Sequence, residues 1–217
     1  MIRLAPHKEN NFFYLLAGML LVMVLAPLGV DRLDRVVSIG YTVTLLVGVW
    51  SLARTRWAFV SGIVLAIASL IATGADLTLE SNTFASAGLS IAFLFCGLSL
   101  WIALREVLFG ERVDANRLAG AVCVYLLIGL AWAFIYSFIA IMMPEAFSGL
   151  SPNLDHRFVD LLYYSFVTLT TLGYGDITPA SPFVRTLAYL QAVIGTMYMA
   201  ILVASLIGSF RDRIHQP

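Results

Sequence analysis

The residues Thr171-Leu172-Gly173-Tyr174-Gly175-Asp176 combine the side chains and the spacing from which an oxygen-lined cation site could be built. Gly173 and Gly175 can take positive φ without a Cβ clash. Handedness that alternates at these positions points successive carbonyl oxygens to the same side. A row of inward carbonyls, completed by the Thr171 hydroxyl, gives stacked oxygen cages able to replace a cation's hydration shell. One strand cannot surround an ion, so several copies must meet on an axis, which requires an oligomer of closed cyclic symmetry. Asp176 follows at once, either as an outer-mouth acid that draws in cations or as an ordinary solvated loop acid.

Such a backbone needs a setting. Non-helical chain at membrane depth is tolerated only where protein buries it or where it lines a watery path. The composition supplies that setting: of 217 residues 60% are hydrophobic and 12% charged, against about 25% charged in ordinary soluble domains. Disordered, collagenous and solvated-enzyme classes are excluded. Thirteen basic residues balance thirteen acidic ones, which argues against a nucleic-acid binder. Cys96 and Cys123 lie in apolar runs without metal-ligand spacing and read as small buried hydrophobes.

Six stretches carry no Asp, Glu, Lys or Arg: residues 10–30, 36–53, 57–75, 81–104, 118–144 and 186–210. The shortest has 18 residues, and roughly 20 apolar residues cross the hydrocarbon, so all six can span. A seventh stretch, 161–175, has 15 residues; as a helix it reaches only about 22 Å, so it reads as re-entrant. The fold class expected is an all-α membrane protein of six transmembrane helices plus a re-entrant pore helix and filter loop. With both termini cytoplasmic, nine basic residues lie inside and four outside, as the positive-inside rule requires. Arg3 and Lys8 precede an apolar run longer than a signal-peptide core, so residues 12–30 read as a retained span, kinked or ended by Pro27.

Residues 1–104 are expected to form a four-helix transmembrane domain. Residues 105–117, mixed in charge, read as an interfacial linker. Residues 118–210 form the pore domain, and residues 211–217 a short cytoplasmic tail with no attached ligand-binding domain. Residues 157–170 read as a short helix whose negative C-terminal end points at the filter entrance and favours a cation. Ser181-Pro182 reads as an N-cap followed by proline at the first helical position.

The run Thr171 to Asp176 resembles the potassium-channel selectivity filter, usually Thr-Val-Gly-Tyr-Gly-Asp. With its surroundings, Tyr163-Tyr164-Ser-Phe-Val-Thr-Leu-Thr-Thr-Leu-Gly-Tyr-Gly-Asp-Ile-Thr-Pro179, it resembles bacterial members of the two-helix ion-channel pore family. The likeness covers roughly residues 118–210. It implies that carbonyls of Thr171, Leu172, Gly173 and Tyr174 coordinate K+, with Gly175 closing the outer mouth. It implies filter support from Tyr163, Tyr164 and Thr170. Tyr164 either hydrogen-bonds toward Asp176 or packs. Leu172 departs from the usual valine; its side chain is expected to turn away from the ion path into pore-helix packing. Gly195 stands 22 residues after Gly173, where the family's inner helix carries a hinge glycine; close packing is the other reading. Ala200, Ala204 and Gly208 repeat at helical spacing near the cytoplasmic end, where small residues let helices approach and where, by the resemblance, inner helices cross to form a gate.

The function so implied is passive, potassium-selective conduction by a homotetramer in the cell (inner) membrane, with K+ as permeant ion, no cofactor and no enzymatic activity. A weakly selective cation channel, a secondary transporter and a non-conducting scaffold are the rivals; the internal repeats typical of transporters are not visible. Span four lacks the regularly spaced arginines of a voltage sensor. His7, His156 and His215 are scattered outside the spans, Ser137, Ser165 and Ser205 read as helix serines bonded to backbone, and Trp50, Trp57 and Trp101 as interfacial anchors.

Overall fold

The computed structural model describes residues 11–25, 64, 67–68, 82–109, 115–153 and 156–214. Span two, all of span three but residues 64 and 67–68, Pro27, Trp50 and Trp57 fall outside the described residues. Five helices are described: α1 (Asn11–Leu25), α2 (Asn82–Phe109), α3 (Ala115–Met142), α4 (Arg157–Leu169) and α5 (Pro182–Ile214). Three contain stretches long and apolar enough to cross a membrane: Ala87–Leu108, Asn116–Met142 and Pro182–Ser205. The apolar part of α1, Phe12–Leu21, is shorter. α4 has 13 residues, about 20 Å at 1.5 Å per residue.

The helix ends follow from local chemistry. Pro144 cannot continue α3, and Met143 before it has left the helical region, with φ −137° and ψ 80°. The chain then makes a 3-10 turn, Pro144–Ala146, and a two-residue strand β1 (Phe147–Ser148) that pairs antiparallel with β2 (Thr178–Pro179). At α5 the Ser181 hydroxyl accepts the Val184 N–H at 3.3 Å with Pro182 at the first position, as the sequence indicates. Residues 105–109 extend α2 and residues 115–117 open α3, so the described part of the segment expected as an interfacial linker is helical. Its corner is fastened by Arg117, whose Nε donates to Val107 O at 2.7 Å and whose Nη2 donates to Leu108 O at 3.3 Å. These are carbonyls that a helix C-terminus leaves without intrahelical donors.

α3 is the hub on which α1, α2, α4 and α5 all pack. On one side Phe12, Leu15 and Met19 of α1 and Ala92, Cys96 and Ala103 of α2 close over Cys123, Val124, Leu127 and Phe134 of α3. Both cysteines are free and buried, and their thiols donate to the Leu127 and Phe12 carbonyls. On the other side Tyr136 and Ala140 meet Leu161 and Tyr164 of α4, Phe147, and Val184 of α5. Glycines set the closest approaches: Phe12 lies over Gly120, and Phe166 of α4 occupies the place a Cβ on Gly129 would take. At Gly195 of α5 a Cβ would overlap the backbone carbonyl of Leu169. Gly195→Ala is therefore expected to destabilise the fold by about 1–3 kcal/mol, because a carbonyl cannot rotate aside as a side chain can. Gly97→Ala, with nothing within 4 Å, should leave the melting temperature in detergent unchanged or slightly raised.

Candidate functional site

The site is built at the C-terminus of α4. Thr170 caps the helix, its N–H reaching Phe166 O at 3.0 Å and its Oγ1 donating to the same carbonyl at 2.7 Å. The next amides then fold back on the last helical turn. Thr171 N–H bonds Thr168 O at 3.0 Å, Leu172 N–H bonds Val167 O at 2.9 Å, and Gly173 N–H bonds the same Val167 O at 3.3 Å. With these donors turned inward, the carbonyls of Thr171, Leu172, Gly173 and Tyr174 accept no hydrogen bond from the described residues.

Backbone handedness alternates along the segment. φ is +60° at Thr171, +60° at Gly173 and +81° at Gly175, while Leu172 and Tyr174 between them stay negative. The glycines are those expected from the sequence. Thr171 is not, since a β-branched residue at positive φ is strained and costs of order 1–3 kcal/mol. The residues carrying this backbone are exposed, Leu172 to 55% and Tyr174 to 69%. Leu172, expected to turn into pore-helix packing, is more than half exposed.

The far end of the segment is clamped from two sides. The Tyr163 hydroxyl donates to Asp176 Oδ2 at 2.7 Å. Gly149, at φ +89°, lies so close to the Asp176 backbone carbonyl that a Cβ there would overlap it. The β1–β2 pairing and the Ala180 N–H to Ala146 O bond of 2.9 Å hold that loop in place. The bond to Asp176 thus comes from Tyr163, and of the two roles left open for Tyr164 the structure shows packing. Neighbouring residues on a helix point about 100° apart, so only one of the pair can face the acid. Tyr164 packs inward between Tyr136, at a ring distance of 5.1 Å, and Phe147 at 5.5 Å.

Behind α4 lies a polar chain that the sequence reading missed. Tyr136 of α3 donates to Gln191 Oε1 at 2.7 Å; Gln191 Nε2 of α5 donates to Ser165 O at 3.0 Å and Ser165 Oγ at 2.8 Å; Ser165 Oγ donates to Gly129 O of α3 at 2.6 Å. Ser137 is the back-bonded helix serine expected, donating to Ala133 O. Ser165 instead crosses to another helix. The available signal was a lone glutamine inside an apolar span. Tyr125 also reaches the site, its hydroxyl donating to Leu169 O at 3.3 Å. Farther along α5, Ala200 and Ala204 lie exposed, and Gly208 lies within the helix.

Residues 120–212 match the family model described as Ion channel. Curated relatives align over part of the chain. "Two-pore potassium channel 5" of Arabidopsis thaliana is 34% identical over 89 residues, 41% of this chain and 19% of that protein. "Two pore potassium channel a" of Oryza sativa subsp. japonica is 35% identical over 98 residues, 45% of this chain and 25% of that protein. "Two pore potassium channel c" of the same species is 36% identical over 70 residues, 32% of this chain and 15% of that protein. The chain thus spans a quarter or less of the length of these relatives. The likeness is to channels, not to enzymes.

The Tyr163 hydrogen bond holds the Asp176 carboxyl below its ordinary 3.8, outweighing some desolvation, and Asp176 in turn pushes the Tyr163 phenol up to about 12. The carboxylate is therefore charged at and above the ordinary carboxylate range and loses its charge only as pH falls through the lowered value. Tyr163→Phe is expected to move the Asp176 titration upward toward 3.8. Carbon-13 NMR of aspartate-labelled protein, with Asp176→Asn identifying the signal, reads this directly; an unmoved midpoint would mean the hydrogen bond is not what sets it.

Proposed function

We propose that this protein is a potassium-selective channel, a homotetramer in which the segment Thr171–Gly175 from each of four subunits lines one ion path. The observation that carries this is the alternating backbone: positive φ at Thr171, Gly173 and Gly175, amides turned back onto α4, and carbonyls left for a cation. The potassium-channel relatives support the same ion. Carbonyl cages stacked in this way replace a hydration shell without net charge on the protein. The negative end of α4 adds to the attraction, and Asp176 holds a carboxylate at the outer mouth.

In this reading α3 is the outer helix, α4 the re-entrant pore helix and α5 the inner helix. Ala200, Ala204 and Gly208 lie where four copies of α5 converge, and Gly195 marks where α5 leaves its contact with Leu169. Leu172 and Tyr174, exposed in one protomer, pack on the neighbouring subunit. The N-terminal helices complete a six-span subunit with both ends in the cytoplasm of a cell (inner) membrane. The last of them, α2, has no basic residue from Asn82 to Leu104. Steep voltage gating uses roughly three or four charges per subunit, so this domain serves packing, assembly or a stimulus other than voltage.

Planar bilayers holding the purified protein under opposed K+ and Na+ gradients test the function. The reversal potential should follow K+, and Tyr174 or Gly173 substitutions should abolish selectivity or current. Equal permeability to the two ions in the native protein would favour an unselective cation channel, and no current a scaffold. Native mass in mild detergent should be about four times the 23.8 kDa subunit. The conductance–voltage relation should be shallow, with an effective charge near or below roughly one per subunit; a steep relation abolished by neutralising Arg105 would refute that.

A further inference from the structure

Gln191 is fully buried, as are Tyr136 and Ser165, to which it is bonded. A carboxamide in an apolar span is unfavourable unless every polar atom finds a partner, and interhelical bonds of this kind hold membrane helices together. The partners also fix which way the amide faces. Tyr136 can offer Oε1 a hydroxyl proton, while the Ser165 carbonyl needs the N–H of Nε2. Reversing the amide would set two oxygens against each other.

The contact falls at a particular level. Gln191 and Gly195 are one turn apart on α5, and their contacts, Ser165 and Leu169, are one turn apart on α4. The two helices are thus held at two successive turns. Val167, whose carbonyl accepts the Leu172 and Gly173 amides, lies between those turns.

We propose that Gln191 is a positioning residue for the filter. Its carboxamide fixes the register of α3 and α5 on α4, and through Ser165 and Val167 it fixes the backbone at Leu172 and Gly173. Methionine would fill the same space without the bonds, so packing and hydrogen bonding separate cleanly at this position. The proposal rests on the channel reading only for its electrical measurement.

The test compares hydrogen exchange in the full-length wild-type protein and Gln191→Met in the same detergent. Exchange at the Leu172 and Gly173 amides should be about tenfold faster in the variant, as expected when buried partners lose their bonds, with α2 amides unchanged. If Gln191→Met does not assemble, Tyr136→Phe, which removes one hydroxyl, should accelerate the same two amides about threefold. Gln191→Glu adds a pH profile. As the neutral acid it can accept from Tyr136 and donate to Ser165, so selective current should survive at low pH. It should be lost as pH rises through a midpoint above the ordinary glutamate value of about 4.3, because burial disfavours the charged form. Among the described residues the titratable groups at this position are the phenol of Tyr136, bonded to Gln191, and that of Tyr164 packed on Tyr136, whose ordinary values lie at about 10. Asp176 titrates on the acid side, and wild type should show no such alkaline loss. Wild-type exchange at Leu172 and Gly173 in the variants, or a flat pH profile in a conducting Gln191→Glu, would overturn the proposal. A silent wild-type protein would instead overturn the channel reading, and the exchange measurement would still decide the role of Gln191.

Discussion

One carbonyl, Val167 O, accepts the amides of both Leu172 and Gly173, and the form of the site depends on that sharing. A helix ordinarily leaves its last carbonyls to water or to a glycine cap. Here the segment that follows supplies the donors by folding back on the helix. Each donor turned inward leaves a carbonyl that must turn elsewhere. The left-handed residues at 171, 173 and 175 make that geometry possible, and glycine accommodates it at two of the three. Thr171 is the exception, held because the turn on both sides of it is fixed.

The rest of the described structure keeps α4 still. A 13-residue helix has little stability of its own, so its position comes from neighbours. Phe166 enters the notch at Gly129, Ser165 bonds across to α3, Tyr125 reaches Leu169 O, and Gly195 lets α5 come within backbone contact of the same carbonyl. In lipid the hydrophobic effect does little to drive helix against helix, so small residues and interhelical hydrogen bonds take its place. Glycines and a few polar side chains in apolar helices are therefore where the tertiary structure is specified.

That distribution explains what could be read from the sequence. Spans recognised by absence of charge match α2, α3 and α5 to within a few residues, because length and apolarity alone determine them. The turn at Gly173 and Gly175 was legible because glycine spacing is itself the signal. Thr171 was not, since nothing in a threonine announces positive φ; its neighbours impose it. Tyr163 and Tyr164 are identical in type, so only the rotation of α4 decides which meets Asp176. Gln191 escaped notice because apolar stretches were delimited by charged residues, and an amide does not interrupt such a count. Spans two and three rest on the sequence alone.

What a single protomer leaves exposed follows the same logic. Strain at Thr171, unbonded carbonyls and the exposed side chains of Leu172 and Tyr174 all belong to one short segment. A soluble loop could relieve the strain by relaxing, but amides shared at Val167 and the clamp on Asp176 prevent relaxation at either end. Relief must then come from outside the chain. In the proposed ring, four such segments supply each other's missing contacts, and a cation supplies what the carbonyls lack. In that proposed ring, a backbone fastened at both ends would favour the ion whose lost hydration its carbonyls replace best.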